Sequence, residues 1–343
     1  MKNKGTGYFP FVMRVKLVDA PRFGYRGGKA LLRRYIVRWI VSEGDYYIEP
    51  FAGRGNMFFI VKCFAKFNNW VLNDIQTTPF FNAVLKYDGS ELPVIKNKEE
   101  MIDLYNKNID LYRIMEPILS WAGAWCDDKR ISYANKVSGM RMKTLDLYRE
   151  NLLKAKKLLK GVQIIKIDAI QLINKYINNT DIFMYLDPPY MGAKVSGYNE
   201  DMLDRKLFIE LLKKAKFKWL LSEYYCNDLV KEFGEPLTKI KNIPINPSSK
   251  SIAVKRVEEC LWSNYKTKPI ILNFGNSRYH AGSMKESLEI FDNCISLSFN
   301  TFSNLVPQQW INSTRHIQFN RLLTLPHAYY DGKTLFNLNN WED

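Results

Sequence analysis

Residues 46–74 constrain the fold of this chain more than any other stretch. Tyr46-Tyr47-Ile48-Glu49-Pro50-Phe51 reads as a short buried strand entering the glycine loop Ala52-Gly53-Arg54-Gly55-Asn56. The apolar run from Met57 to Phe67 follows with helical length, and Trp70-Val71-Leu72 is a second strand ending in Asn73-Asp74. Strand, glycine turn, helix and strand make a βαβ unit, and a return to the sheet through a helix makes the two strands parallel. The first expectation is an α/β fold built on a parallel sheet.

The periodicity elsewhere extends this picture. Leu32, Tyr35, Ile36 and Trp39 predict a helix over 29–42, with Gly44 as its stop. Residues 99–119 and 144–160 are helical. In the second of these Leu145, Tyr148, Leu152, Ala155 and Leu159 line one face, and Gly161 ends it. Residues 120–143 show no clear period. Strand-like segments resume at 162–167, 182–186, 219–222 and 260–262, with a helix at 204–216. The expected organisation is a catalytic domain of residues 1–75 and 161–265, split by a mainly helical insert at 76–160. Residues 266–343, rich in Asn, Ser and Phe, form a separate C-terminal extension.

Charge narrows the partner. The 50 Lys+Arg against 35 Asp+Glu give a net charge of +15, and residues 1–75 hold 13 basic against 5 acidic side chains. Such a field points to a polyanion. The five cysteines are scattered without a Cys-x-x-Cys pair, and His280, His316 and His327 lie far apart, so no metal site is expected. No uncharged apolar run approaches the ~20 residues that span a bilayer. The beginning of the chain lacks a signal-peptide pattern. A cytoplasmic protein is expected.

Asp187-Pro188-Pro189-Tyr190 directly follows the apolar strand Ile182-Phe183-Met184-Tyr185-Leu186. Two prolines after a strand make a rigid turn in any protein. The tetrapeptide also suits one chemistry. The exocyclic amine of adenine is a poor nucleophile because its lone pair is delocalised into the ring. A carboxylate and a main-chain carbonyl accepting its N–H bonds favour rehybridisation, while an aromatic ring stacks on a base held outside the duplex. The Gly53/Gly55 loop lets a ligand approach backbone closely, and Asp74 stands where an acid grips ribose hydroxyls. The missing third glycine argues against a nicotinamide enzyme. In Tyr25-Arg26-Gly27-Gly28-Lys29 the lysine is placed to reach a carboxylate. Asp168 either caps the helix beginning at Ala169 or accepts from an adenine amino group.

In this order, Gly-Gly-Lys, Glu-Pro-Phe-x-Gly-x-Gly, Asn-Asp, Ile-Asp-Ala and Asp-Pro-Pro-Tyr resemble the Dam-type DNA N6-adenine methyltransferases. The segment Lys255–Tyr265 resembles the last core strand of that family, so the likeness spans about residues 22–265. The resemblance implies a Rossmann-like S-adenosylmethionine-dependent methyltransferase sheet with a DNA-recognition insert. It implies that Tyr25, Lys29, Asp74 and Asp187 contact S-adenosylmethionine, with Phe51, Gly53 and Asp168 lining the same pocket. Asp187 and Tyr190 would hold a flipped adenine, with Pro188 and Pro189 completing the catalytic set, leaving S-adenosylhomocysteine as product. Tyr25 stands where the family often has Trp, and the insert only faintly echoes the family's signature, so no target sequence carries over.

Within residues 129–143, Lys129, Arg130, Tyr133, Asn135, Lys136, Arg141 and Lys143 supply the materials of a DNA-contacting loop. They offer cations for phosphates, Arg130 or Asn135 for base edges, and Tyr133 for the gap a flipped base leaves. The reading is a site-specific adenine methyltransferase acting on double-stranded DNA in a prokaryotic or phage-infected cell, in restriction–modification, phage self-protection or regulation. The alternatives are the same chemistry on RNA, N4-cytosine methylation, or a catalytically silent nucleic-acid-binding subunit. The sequence is silent on oligomeric state.

Overall fold

The computed structural model describes residues 20–25, 27–30, 32–120, 133, 142–190, 203–244 and 256–266, with short strands at 296–298, 328–330 and 334–337. The chain divides into two units, one of Asp19–Lys268 and the other of Met1–Val18 with Pro269–Asp343.

The larger unit holds a seven-stranded sheet. Its strands are β1 (Glu43–Glu49), β2 (Lys66–Asn73), β3 (Gln163–Ile165), β4 (Ile182–Leu186), β5 (Lys218–Tyr224), β6 (Thr238–Pro244) and β7 (Arg256–Ser263), in spatial order β3-β2-β1-β4-β5-β7-β6. β3, β2, β1, β4 and β5 pair in parallel. β7 runs antiparallel to both its neighbours. The order reverses between β1 and β4, which opens a crevice at the carboxyl ends of those strands. This is a Rossmann-like α/β sheet, as the resemblance implied.

The central strands are buried on both faces, and their side chains alternate between the two. One face carries Ile48, Val71, Met184, Leu186, Trp219, Leu221, Cys260 and Trp262. It packs on Leu172 and Ile173 of α7 (Ala169–Lys175), on Phe208, Leu211 and Leu212 of α8 (Arg205–Lys214), and on Leu229 of α9 (Asn227–Phe233). The other face is aromatic: Tyr47, Phe67, Trp70 and Phe183 interlock, and Phe58 of α2 (Asn56–Lys62) closes on Trp70.

Among the described residues, four helices lie between β2 and β3: α3 (Thr78–Lys86), α4 (Lys98–Lys107), α5 (Ile109–Leu119) and α6 (Met142–Leu159). α6 buries the face its periodicity marked as apolar, with Leu145, Tyr148, Leu152, Ala155 and Leu159 all inside. The expected single helix over 99–119 is two, because Asn108 leaves helical geometry (φ −149°) and its side chain caps α5 by accepting from Leu111 N.

Other boundaries also differ from the sequence reading. The helix expected at 29–42 is one turn, α1 (Arg33–Ile36), continued by a 3-10 turn at Val37–Trp39. Gly44 does not stop a helix. It lies in β1, where a Cβ would come within 2.8 Å of the Phe67 ring. The helix after the glycine loop ends at Lys62, and Lys66 and Phe67 open β2. In the smaller unit β8 (Ser296–Ser298), β9 (Ala328–Tyr330) and β10 (Thr334–Asn337) form an antiparallel sheet in the order β8-β10-β9.

Candidate active site

The pairing of β1, β4, β5 and β7 brings a set of polar residues to one side of the sheet. Tyr47 pairs with Phe183, Tyr185 with Leu220 and Tyr224 with Glu259. With side chains alternating along each strand, Glu49, Tyr185, Ser222, Tyr224 and Glu259 therefore face the same way, opposite the α7–α8–α9 layer. Asp187 follows at the tip of β4.

Lys29 enters this set from the turn before α1. Its Nζ donates to Asp187 Oδ1 at 2.5 Å and to the Gly27 carbonyl at 3.2 Å. It lies 3.7 Å from Glu259 Oε1 and 4.5 Å from the centre of the Tyr190 ring. Lys29 is 3% exposed, Glu259 2% and Asp187 17%, so Asp187 is the member open to a ligand. Burial pulls the Lys29 ammonium down, but Asp187 and Glu259 outweigh it and leave its pKa raised. Burial pushes the Asp187 carboxyl up, Lys29 draws it part of the way back, and it rests at about 6. Burial holds Glu49 well above the usual carboxylate range, and its Oε1 accepts from the Tyr47 hydroxyl at 2.6 Å.

The glycine loop and the tip of β2 form the second half of the site. Asp74 accepts from Gly53 N at 2.9 Å through Oδ2, and from Gln76 N and Thr77 N at 2.8 Å through Oδ1. Burial raises its pKa against those three bonds. Gly53 adopts φ +52°, and a Cβ there would meet the Tyr25 ring at 2.8 Å, so only glycine lets this ring lie on the loop. Asn73, fully buried, donates to the Pro50 and Ile167 carbonyls and accepts from Ile167 N, tying the tips of β1, β2 and the segment after β3 together. Asp168 therefore stands beside the β2 tip. It is exposed, and its side chain caps α7 through Gln171 N. Phe51 turns its ring edge toward Phe208, into the apolar layer.

Arg54, between the two glycines of the loop, is buried and ties it to α5. Its guanidinium donates to Glu116 Oε2 at 2.9 Å and to the Gly24 carbonyl, and it lies 5.6 Å from the centre of the Tyr25 ring. Glu116 is fully buried and also accepts from Arg113 at 3.5 Å.

The structure thus brings Lys29, Asp187 and Tyr190 together at β4, and Tyr25, Gly53 and Asp74 together at β1 and β2. Pro188 is buried and Pro189 half-buried behind Asp187. Of the expected DNA-contacting residues, Lys129, Arg130, Asn135, Lys136 and Arg141 lie outside the described residues. Lys143 lies in α6, and Tyr133 donates to the Ile95 carbonyl at 3.3 Å. Sequence reasoning missed Glu259, Ser222 and Arg54. An acid beside the apolar Cys260-Leu261-Trp262 was the one signal for Glu259, and its neighbour Glu258 obscured which of the two turns inward.

Among the described residues no group of three or more His, Cys, Asp or Glu could hold a metal ion, and no helix is long and apolar enough to cross a membrane. No curated protein matches the sequence. Three solved structures are similar at low identity. A Streptococcus mutans protein described as a methyltransferase, in complex with SAH, is 12% identical with a TM-score of 0.30, over 68% of this chain and 96% of that one. A second protein described as a methyltransferase, also with SAH, is 12% identical with a TM-score of 0.29, over 71% and 55%. A Clostridium thermocellum protein described as an rRNA methylase is 13% identical with a TM-score of 0.28, over 67% and 94%. Over residues 25–107, which carry Gly27-Gly28-Lys29, the glycine loop and Asn73-Asp74, the chain matches the family of D12 class N6 adenine-specific DNA methyltransferases.

Proposed function

We propose that this chain transfers a methyl group from S-adenosylmethionine to N6 of a flipped adenine in DNA. The observation that carries the reading is the Lys29–Asp187 pair, which fixes the first residue of Asp-Pro-Pro-Tyr at the mouth of the β1/β4 crevice beside the glycine loop.

The residues present fit the cofactor. Asp187 and Glu259 face one ammonium, Lys29, and that excess of acid suits a ligand bearing a sulfonium and an amino group. Asp74, pinned by three backbone amides yet only half-buried, suits ribose hydroxyls, with Tyr25 and Gly53 alongside. When bound, S-adenosylmethionine supplies a methyl already activated on sulfur. Asp187 accepts an N–H bond from the base amine and strengthens its lone pair. The Pro188-Pro189 backbone keeps the neighbouring carbonyl acceptor still, and the Tyr190 ring offers a stacking surface to a base outside the duplex. Lys29 holds the Asp187 carboxylate in one orientation.

The +15 net charge supports a nucleic-acid substrate, and the match over residues 25–107 favours DNA adenine. We assign target recognition to residues 76–160, catalysis to 1–75 with 161–265, and no role to 266–343. The test is to incubate the full chain with methyl-labelled S-adenosylmethionine and duplex DNA, single-stranded DNA or RNA, then digest to nucleosides. Label in N6-methyldeoxyadenosine is expected. Label confined to RNA or to cytosine would overturn the assignment, and sequencing of methylated DNA from expressing cells reads out the target.

A further inference from the structure

Glu259 lies on β7, outside the Gly-Gly-Lys, glycine-loop and Asp-Pro-Pro-Tyr motifs, and is 2% exposed. A buried carboxylate is costly unless partners compensate it, and an apolar side chain would pack this strand position more cheaply. Its partners are the two motifs themselves. Glu259 Oε1 accepts from the Tyr190 hydroxyl and from Ser222 Oγ, and lies 3.7 Å from Lys29 Nζ. The Tyr190 ring is further confined by Tyr224, edge-on at 4.3 Å and paired in register with Glu259. One oxygen thus gathers the aromatic of Asp-Pro-Pro-Tyr and the lysine of Gly-Gly-Lys.

We propose that Glu259 is a positioning residue for methyl transfer, fixing the Tyr190 ring by its hydroxyl and sharing the Lys29 charge with Asp187. The proposal rests on the reading that Asp187 and Tyr190 hold the target base. Anchored at its hydroxyl, the ring cannot swing out of the stacking plane when no base is present. Divided between two carboxylates, Lys29 withdraws less electron density from Asp187, which stays the better acceptor. The groups around Asp187 and Glu259 include Lys29 before α1, Glu49 on β1, Tyr185 on β4, Tyr190 after it, and Ser222, Glu223 and Tyr224 on β5. Glu259 works against the ionisation of Asp187, so its removal moves Asp187 toward a lower pKa.

The experiment follows single-turnover methylation of adenine-containing duplex DNA against pH, using the full chain, with cofactor affinity measured by calorimetry. Glu259→Gln is expected to slow the plateau rate at least tenfold, shift the acid limb to lower pH, and leave cofactor affinity within threefold. Tyr190→Phe, which removes the donated hydroxyl, should slow the plateau similarly, and the double variant should be no slower than the worse single one. A Glu259→Gln plateau within threefold of the parent, or a slowed plateau with an unmoved acid limb, overturns the proposal. Should Glu259→Gln fail to fold, Tyr190→Phe decides, and a rate within threefold of the parent overturns it. If the parent methylates another base, the adenine reading fails while the Glu259 comparison is read on that product. A parent with no transfer to any nucleic acid overturns both.

Discussion

Lys29 Nζ and Asp187 Oδ1 stand 2.5 Å apart although 158 positions separate them in the chain. The contact joins the turn before α1 to the tip of β4. Asp187 titrates at about 6, so transfer should fall about tenfold per pH unit below that value, as a proton occupies an acceptor oxygen. The folded pKa is raised above 3.8, so the unfolded carboxyl loses its proton first. Folding therefore weakens as pH climbs from 3.8 to about 6. Asp187→Asn should remove both pH effects and cut the plateau rate by about 10²–10⁴-fold, with DNA affinity retained. A pH–rate profile with parallel binding measurements checks this.

Three backbone partners of Asp74 fix the loop. In the proposed function its half-buried carboxylate meets ribose before and during reaction alike. Asp74→Ala should weaken cofactor binding at least tenfold while single-turnover rates at saturating cofactor stay within threefold. Loss of the capped amides should cost about 2 kcal/mol of stability. Calorimetry and thermal unfolding separate the two effects.

Arg54 and Glu116 form a fully buried ion pair. Arg54→Met leaves buried Glu116 with Arg113 at 3.5 Å, and Glu116→Leu takes the acid from both arginines; each should destabilise by about 3–5 kcal/mol. The double variant should recover part of that loss, with Arg113 keeping its charge. Denaturant midpoints for the parent, the singles and the double make the cycle.

Residues 129–143 are where we place sequence readout. Arg130→Ala or Asn135→Ala should relax or weaken site choice by about 1–3 kcal/mol per lost bidentate base contact. Lys136→Ala should weaken binding to all sequences and flatten its salt dependence. If neither the methylated motif nor the salt slope changes across this segment, recognition lies elsewhere, and residues 266–343 are the next to vary.

The strands and the glycine loop were legible because apolar residues between turn formers leave few alternatives. The same rule overran at Phe67. Met57 to Phe67 has no internal breaker, so nothing in the sequence separates the end of α2 from the start of β2. α3 went unseen although Pro79 in its first turn is a start signal, and α4 and α5 merged because the Asn108 cap resembles a solvated helix position. Lys29, Asp74, Asp187 and Tyr190 were legible as motif members. Glu259 was not, because its importance comes from the antiparallel register of β7 against β5, which no local pattern encodes.

Asn73 has a consequence for how this chain can change. Its side-chain amide fastens the exit of β2 to the entry of α7, so everything from α3 to β3 begins and ends at one knot. A loop closed at its neck can grow cheaply, since doubling its length costs about 0.6 kcal/mol in closure entropy. Helices there are free to be lengthened, shortened or traded while the crevice keeps its shape. The tether at Glu116 is one exception: a transplanted α5 must bring an acid for Arg54, or the glycine loop loses its footing.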